Sequence, residues 1–186
     1  MVECIPQFPK FPISPMLIND NSTTLNIGDA MPHFCLPSTA GMEVDSRMIK
    51  DPFVAVVFTC NHCPYAQKEE QGLKDLMQEC EQTQFVLMSS NDAVEFPEDS
   101  FEQMKVKKEE VGFPCEYCFD ESQQVAKDYG ALCTPHCFLF DKERELQYKG
   151  CVSGLKNALR DLEAGREVTL TEDNAIGCSI KWKVMV

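Results

Sequence analysis

Residues 52–64 read Pro-Phe-Val-Ala-Val-Val-Phe-Thr-Cys-Asn-His-Cys-Pro, an apolar run that ends in a Cys-x-x-Cys pair. The run has the unbroken apolar pattern of a strand covered on both faces, which belongs at the centre of a sheet. Pro64 suits the first turn of a helix, because its missing N–H has no partner to lose there. The stretch therefore predicts a buried strand that delivers two thiols to the start of a helix.

The spacing of Cys60 and Cys63 indicates thiol–disulfide chemistry. Side chains three residues apart on a helix share a face, and their separation suits a disulfide with little strain. The first helical turn carries unpaired N–H groups and partial positive charge, which stabilise a thiolate, so we expect Cys60 to be the nucleophile. Cys63 is then the resolving thiol that attacks the mixed disulfide. His62 lies between them and can donate to a sulfur atom or, when protonated, pair with it.

A Cys-x-x-Cys pair is also compatible with buried packing cysteines or with half of a zinc site. Cys115 and Cys118 form a second Cys-x-x-Cys, so the chain has four cysteines in the arrangement of a structural zinc site. On an extended segment, however, residues three apart point to opposite faces of the sheet. We therefore expect Cys115 and Cys118 to be packing residues, and we predict no metal site.

The composition indicates which partners to exclude and which cellular compartment to expect. Seventeen Lys and Arg residues against 30 Asp and Glu residues give a net charge of -13. This charge repels nucleic-acid backbones and anionic lipid surfaces, so neither nucleic acid nor membrane is predicted as a partner. The first residues lack the basic start and apolar stretch of a signal peptide, and no run approaches a transmembrane length. We therefore predict a cytoplasmic protein in which most of the 11 cysteines are free thiols.

Strand and helix patterns alternate along the rest of the chain. The proline-rich residues 1–26 predict an extended arm ahead of one domain that spans 27–186. Ser100-Phe-Glu-Gln103 has the pattern of a helix capping box. Strands are predicted near 34–36, 53–58, 85–89, 137–140 and 145–149, the last two as a hairpin, and helices over 63–81, 100–111, 120–130 and 153–163.

This order of elements, with a Cys-x-x-Cys after a buried strand, resembles the α/β thioredoxin-like fold. The resemblance implies a central mixed β-sheet flanked by helices. Thr134 and Pro135 stand where that superfamily carries its cis-proline, which implies a loop that faces the dithiol and a Thr134 backbone that pairs with an extended substrate. Thr134, Pro135 and Asn61 are therefore the candidate substrate-binding residues.

A closer resemblance is to the redoxin group of AhpC/TSA, peroxiredoxin-like proteins. It is carried chiefly by the motifs Cys60-Asn-His-Cys-Pro64 and Gly177-Cys-Ser-Ile-Lys-Trp-Lys183. It implies a thiol–disulfide oxidoreductase that acts on a protein disulfide or a small thiol, with a separate electron donor and no cofactor. The Pro-x-x-x-Thr-x-x-Cys loop of a peroxiredoxin and its neighbouring arginine are not recognisable. Thiol peroxidase activity is therefore the alternative, together with a non-enzymatic redox sensor or binding module.

Two further cysteines are candidates for additional redox thiols. Cys133 lies two residues before Pro135, and Cys178 lies within the last motif. Burial as a packing residue is the alternative for each, and it is favoured slightly more for Cys178.

The acceptor for the proton of Cys63 is less clear from the sequence. Thioredoxin holds a buried acid beneath its resolving thiol, but the matching stretch around Val54 is apolar. Water, Glu69 or Glu70 is therefore the expected acceptor.

Overall fold

The segment Phe53–Phe58 forms the central strand of a five-stranded sheet in a computed structural model that describes residues 16–17 and 25–184. The strands are β1 Met16–Leu17, β2 Cys35–Pro37, β3 Glu43–Asp45, β4 Phe53–Phe58, β5 Thr83–Ser89, β6 Glu116–Phe119, β7 Cys133–Thr134, β8 His136–Phe140, β9 Leu146–Gly150 and β10 Ile176–Ser179. The helices are α1 Pro64–Glu79, α2 Phe101–Val111, α3 Gln124–Tyr129 and α4 Val152–Glu163, with 3-10 turns at Ser46–Met48 and Pro97–Asp99.

The main sheet is mixed and has the strand order β6-β5-β4-β8-β9. β4 runs parallel to β5, and β5 runs parallel to β6, whereas β8 is antiparallel to both β4 and β9. The carboxyl ends of β4, β5 and β6 therefore meet at one edge of the sheet, where chemistry-bearing loops gather in α/β proteins. The predicted thioredoxin-like α/β fold is confirmed, and Cys60 follows β4 at this edge.

The alternation of side chains along β4 divides the core into two layers. Ala55 and Val57 face a cluster that includes buried residues of α1, α2 and α4, whereas Val54 and Val56 face a second cluster that includes residues of α3. Each buried aliphatic side chain of this kind stabilises the fold by about 1.5–3 kcal/mol. The prediction that β4 is covered on both faces is confirmed.

The second Cys-x-x-Cys follows the same alternation. Cys115 precedes β6 and lies in the first cluster, and Cys118 lies on β6 in the second cluster. Because the two thiols lie in different layers of the core, they pack on opposite sides of the sheet as expected.

The predicted hairpin is present as β8 and β9, and helices occupy the four predicted regions. The capping box is the exception, because the Ser100 side chain makes no capping hydrogen bond. In a capping box the third helical residue reaches back to the N–H of the cap. Here the Ser100 N–H already donates to the Pro97 carbonyl of the preceding 3-10 turn. The helix therefore starts from that turn.

The last motif of the chain lies in a small second sheet of strand order β1-β10-β7. β10 is antiparallel to β7, with Cys178 opposite Thr134 and Ser179 opposite Cys133. Its other edge pairs with β1, where Met16 is opposite Gly177. Most of the predicted arm, 1–15 and 18–24, lies outside the described residues, so the arm and the boundary at residue 27 stay predictions. No helix in the described parts of the chain is long and apolar enough to span a bilayer.

The close approach of β10 to β7 predicts a large effect of a single methyl group. A Cβ at Gly177 would lie 2.0 Å from the Thr134 carbonyl oxygen, a distance that the backbone cannot relieve without moving β10. We expect Gly177→Ala to lower the free energy of unfolding by about 1–3 kcal/mol, as overpacked sites do. Urea unfolding followed by circular dichroism measures this change.

Gly72→Ala is the matched control, because a Cβ there meets nothing within 4 Å. Alanine in the interior of a helix is favoured over glycine by roughly 0.5–1 kcal/mol, so this variant should be at least as stable as the wild type. Equal stability of Gly177→Ala and the wild type would show that β10 is not packed as described.

Candidate active site

The dithiol lies in the turn between β4 and α1. The Thr59 N–H still donates to the Met88 carbonyl of β5, so the turn begins on the sheet. The first helical residue is Pro64, and Cys63 is the N-cap. Cys60 therefore lies before the helix, and the prediction that both thiols occupy one helical turn is wrong. Proline at the first helical position, as predicted, sets the start of the helix after Cys63.

Thr134 holds both sulfur atoms. Its hydroxyl lies 3.2 Å from the Cys60 sulfur, and its carbonyl oxygen accepts a hydrogen bond of 3.1 Å from the Cys63 thiol. The Thr134–Pro135 peptide bond is cis. The structure thus brings together four of the predicted site residues, Cys60, Cys63, Thr134 and Pro135. Cys60 retains 3% exposure and Cys63 none, so Cys60 is the member of the pair nearer to solvent.

The two thiols share a hydrogen bond that shifts their ionisation in opposite directions. This bond lowers the pKa of Cys63 to about 4, and Cys178 and the nearby backbone N–H of Ala66 act in the same direction. The same bond raises the pKa of Cys60, as do burial and the negative charge of Asp99. In the structure the Cys63 thiol donates to the Thr134 carbonyl oxygen, so it carries a proton in that arrangement, and the assignment of Cys60 as the nucleophile stays a prediction.

Asp99 is the principal site residue that sequence reasoning missed. Its fully buried carboxylate lies in the 3-10 turn before α2 and accepts a 2.7 Å hydrogen bond from the Asn61 N–H and a 2.7 Å bond from the Asn91 side chain. His62 Nδ1 lies 2.6 Å from Asp99 Oδ2. Burial pushes the pKa of Asp99 up, but hydrogen bonds from His62 and Asn91 outweigh it and hold the pKa below its ordinary value.

His62 is held by Asp99 and by an aromatic ring. The imidazole stacks on Phe96 with ring centroids 5.3 Å apart and an interplanar angle of 10°. The hydrogen bond to Asp99 raises the pKa of His62, against the opposing effect of burial. A ring nitrogen of His62, a carboxylate oxygen of Asp99 and the Cys60 sulfur all lie within 4.8 Å of one another. His62 therefore lies close to Cys60, as expected, and the Asp99 carboxylate lies close to both.

The carboxylates proposed from the sequence lie elsewhere. Glu70 forms an ion pair with Lys107 at 3.0 Å, and Glu69 is a half-buried residue of α1. The buried acid of this site is thus Asp99. The only sequence signal for it is the Pro97-Glu98-Asp99-Ser100 segment, in which nothing distinguishes the buried acid from its exposed neighbour Glu98.

Asn61, predicted as a substrate-binding residue, has a structural role instead. Its side-chain amide donates to the Glu98 carbonyl at 2.8 Å, and its side-chain oxygen accepts a 3.1 Å bond from the Tyr117 hydroxyl. Its carbonyl oxygen accepts from Gln67 at 2.7 Å. Because these groups are satisfied inside the protein and the residue is buried, Asn61 holds the turn and does not face a substrate.

Of the two candidates for an additional redox thiol, the structure favours Cys178, whereas the sequence slightly favoured Cys133. Cys133 is fully buried, its thiol lies 3.9 Å from the Pro135 carbonyl oxygen, and burial raises its pKa to about 12. Side chains alternate along a strand, so Cys133 points away from the side on which Thr134 meets the dithiol. Cys178 is partly exposed and packs against the cluster that contains Cys60 and Cys63. Cys178, which the sequence favoured less, is the third thiol of the site.

The backbone of Thr134 has a different partner from the one expected. The thioredoxin resemblance implies that this backbone pairs with an extended substrate, but here it pairs with β10 of the same chain. The tail beyond β10 is fastened through its backbone, since the Ile180 N–H donates to the Leu132 carbonyl and the Lys181 N–H to Asn91 Oδ1. Trp182 is 39% exposed, and the Lys127 ammonium lies 5.9 Å from the centroid of its ring.

Fold and dithiol together define a thioredoxin-like α/β protein. Residues 27–149 match the AhpC/TSA family model, and the chain belongs to this family. It is similar to an uncharacterized conserved protein from Geobacillus kaustophilus, with 34% identity over 88% of this chain and 96% of the other and a TM-score of 0.84. It is also similar to a hypothetical protein from Sinorhizobium meliloti, with 31% identity over 87% and 97% of the two chains and a TM-score of 0.83.

A more distant structural similarity supports the fold assignment alone. The thioredoxin domain of a thiol-disulfide oxidoreductase from Bacteroides vulgatus has 20% identity over 69% of this chain and 90% of its own, with a TM-score of 0.58. No curated protein sequence matches this chain.

The ion pair of His62 and Asp99 predicts two pH limits for stability. The pKa of His62 is raised above its ordinary 6.5, so its contribution is complete below pH 6.5 and is lost as pH rises through the higher folded value. The pKa of Asp99 is lowered below its ordinary 3.8, so its contribution is complete above pH 3.8 and is lost as pH falls through the lower folded value. Urea unfolding across this range should show both losses.

Asp99→Asn should remove the alkaline loss and lower the pKa of His62, which NMR titration of the His62 ring protons measures. Glu98→Gln is the matched control, because it removes the same charge one residue away from an exposed side chain. It should change the His62 titration far less. If His62 titrates identically in Asp99→Asn and the wild type, the ion pair does not form in solution.

Proposed function

We propose that this protein is a thiol–disulfide oxidoreductase that cycles between the Cys60–Cys63 dithiol and disulfide. The observation that carries the proposal is the contact of both sulfur atoms with Thr134, with Cys60 at the solvent side and Cys63 behind it. A sulfur atom near solvent suits capture of a substrate, and a buried neighbour suits release of the product. The chain needs no cofactor for this reaction.

The first step requires a proton to leave Cys60. We assign Cys63 as the base that receives this proton, because its pKa is lowered where that of Cys60 is raised. Once protonated, the Cys63 thiol donates to the Thr134 carbonyl, while the Thr134 hydroxyl donates to the Cys60 thiolate. The proton therefore has a hydrogen-bond acceptor whether it is on Cys60 or on Cys63. Its transfer moves the negative charge from the Cys63 sulfur to the Cys60 sulfur.

The remaining steps follow the ordinary course of thiol–disulfide exchange. The Cys60 thiolate attacks one sulfur of the substrate disulfide, forms a mixed disulfide and expels the first product thiolate. Cys63 then gives its proton to the departing first product thiolate and attacks the Cys60 sulfur, which breaks the mixed disulfide and expels the second product thiolate. The protein gains the Cys60–Cys63 bond while the substrate gains two electrons. An external dithiol or two thiols reverse the sequence and act as the electron donor.

His62 and Asp99 favour the first step by their position. An ionised Cys60 is disfavoured by burial and by the Asp99 charge. A protonated His62, whose ring lies within 4.8 Å of the Cys60 sulfur, offsets that charge. His62 is thus a positioning and charge-balancing residue for Cys60, and its raised pKa keeps it protonated over a wider pH range.

The closed backbone edge favours small disulfides over extended polypeptides. A peptide that binds by strand addition needs free backbone groups on Thr134, and β10 already pairs with that residue. A small disulfide needs only access to the Cys60 sulfur. We therefore propose a low-molecular-weight disulfide as the substrate and a reducing compartment such as the cytoplasm as the location.

Thiol peroxidase activity is the second candidate, and membership of the AhpC/TSA family favours it. The contact of the Thr134 hydroxyl with the Cys60 sulfur is compatible with either reaction. Three arginines bind groups outside the site: Arg47 pairs with Asp45, Arg166 pairs with Asp161, and Arg144 donates to the Ile49 and Asp51 carbonyls. Exchange is therefore preferred over peroxide reduction, and a non-enzymatic redox sensor is the third alternative.

Cysteine variants distinguish these functions. With hydroxyethyl disulfide as substrate and a thiol as donor, we expect Cys60→Ser to reduce turnover to background. Cys63→Ser should stop after one step and accumulate a mixed disulfide on Cys60, which intact-protein mass spectrometry detects as one added mercaptoethanol. Cys35→Ser, at an exposed cysteine outside the site, is the matched control and should retain wild-type turnover.

Two further measurements separate the alternatives. Insulin reduction should be much slower than reduction of hydroxyethyl disulfide if the closed edge excludes polypeptides. Rapid formation of a Cys60 sulfenic acid with hydrogen peroxide, together with no disulfide exchange, would overturn the proposal in favour of a peroxidase. Absence of both reactions, with reversible oxidation of Cys60 and Cys63 intact, would favour a sensor.

A further inference from the structure

The position of Cys178 is fixed by the register of β10 on β7. Cys178 lies directly opposite Thr134, the residue that contacts both sulfur atoms of the dithiol. Its side chain packs against the cluster that Cys60, Cys63 and Ala66 form, so the three thiols lie in one group. Cys178 is also partly exposed, whereas Cys63 is completely buried.

β10 is held on both edges and at its end, so Cys178 is not a thiol on a loose tail. β1 pairs with the outer edge at Gly177, and β7 pairs with the inner edge. After the strand, the Lys181 carbonyl accepts from Gln123 at 2.8 Å, and the Lys183 N–H donates to Gln123 at 2.8 Å. These contacts hold β10, and with it Cys178, beside the dithiol.

Cys63 is the central sulfur atom of the cluster. Both Cys60 and Cys178 lower the pKa of Cys63, and all three residues belong to one packed cluster, which places Cys63 next to each of the other two. Thiol–disulfide exchange needs an attacking sulfur, a central sulfur and a leaving sulfur in contact. An arrangement with Cys63 in the middle provides these three roles within one protein.

We propose that Cys178 is a second resolving thiol, which transfers the disulfide from Cys60–Cys63 to Cys63–Cys178. The inference rests on the proposed exchange function and deepens it. The Cys178 sulfur attacks the Cys63 sulfur as its proton leaves, forms the Cys63–Cys178 bond and breaks the Cys60–Cys63 bond. Cys60 leaves as a thiolate and takes up the proton that Cys178 lost. No electrons enter or leave the protein in this step.

The transfer returns Cys60 to the thiol form while the protein stays oxidised. Cys60 is then free to attack a second disulfide molecule before any external donor reduces the protein. The oxidised Cys63–Cys178 pair is partly exposed through Cys178, so a donor thiol has access to it at a different sulfur from the one that meets the substrate. The substrate thus reacts at Cys60, and the donor thiol reacts at Cys178.

Disulfide mapping tests the transfer. The reduced full-length protein is oxidised with one equivalent of hydroxyethyl disulfide, quenched in acid, alkylated and mapped by mass spectrometry. In the wild type we expect both Cys60–Cys63 and Cys63–Cys178 peptides, with alkylated Cys60 accompanying the second. The ratio of the two should not depend on protein concentration, because the transfer is intramolecular. Cys178→Ala should give Cys60–Cys63 alone.

Cys133→Ser is the matched control, since Cys133 lies on the strand that pairs with β10 but points away from the dithiol. It should give the wild-type distribution. Thermal unfolding of each variant shows that it is folded, and Cys178→Ser serves as a second variant if Cys178→Ala is not. Cys60→Ser adds an independent arm, because its oxidation with diamide should form Cys63–Cys178 directly.

The outcomes separate this inference from the proposed function. Formation of Cys60–Cys63 in the wild type, with Cys178 always recovered as a free thiol and no Cys63–Cys178 bond in Cys60→Ser, would overturn the transfer and leave the exchange function intact. Failure of the wild type to form any disulfide with the substrate would overturn the exchange function itself.

Discussion

A buried carboxylate holds the turn that carries the reactive thiols. Removing the Asp99 charge from water has a large free-energy cost, which only several well-placed donors can offset. Those donors are the Asn61 backbone N–H, the Asn91 side chain and the His62 ring. The Asn61 turn, the end of β5 and the segment before α2 are thus tied to one point. The distances between the sulfur atoms and their partners depend on this connection.

Thr134 supplies the second fixed point. Its side chain and its carbonyl oxygen contact different sulfur atoms, so a single residue sets the position of both. Its remaining backbone pairs with β10, which brings the third thiol to the same place. Where the resemblance to thioredoxin-like proteins implies an open edge, this chain has its own strand. The same pairing explains both the preference for small substrates and the placement of Cys178.

Local patterns in the sequence are sufficient to predict the central elements. The apolar run of β4, the proline at the start of α1 and the hairpin of β8 and β9 each depend on neighbouring residues, and all three are present. Asp99 escapes prediction because it meets His62 across 37 residues, and no short-range pattern marks which acid becomes buried. The importance of Cys178 is hidden for the same reason, since strand pairing between β7 and β10 leaves no periodic signal. The sequence prediction places both thiols on one helical turn, whereas the helix begins at Pro64, because the residue at which a helix begins depends on the turn that precedes it.

The imidazole of His62 cannot turn freely, because Phe96 covers one ring face and Asp99 holds Nδ1. With Nδ1–H donating to the carboxylate, the other ring nitrogen carries the proton that comes and goes. That nitrogen stays in one place and alternates between donor and acceptor as acidity changes. The free edge of the His62 ring thus has a charge that depends on pH and an orientation that Phe96 and Asp99 fix.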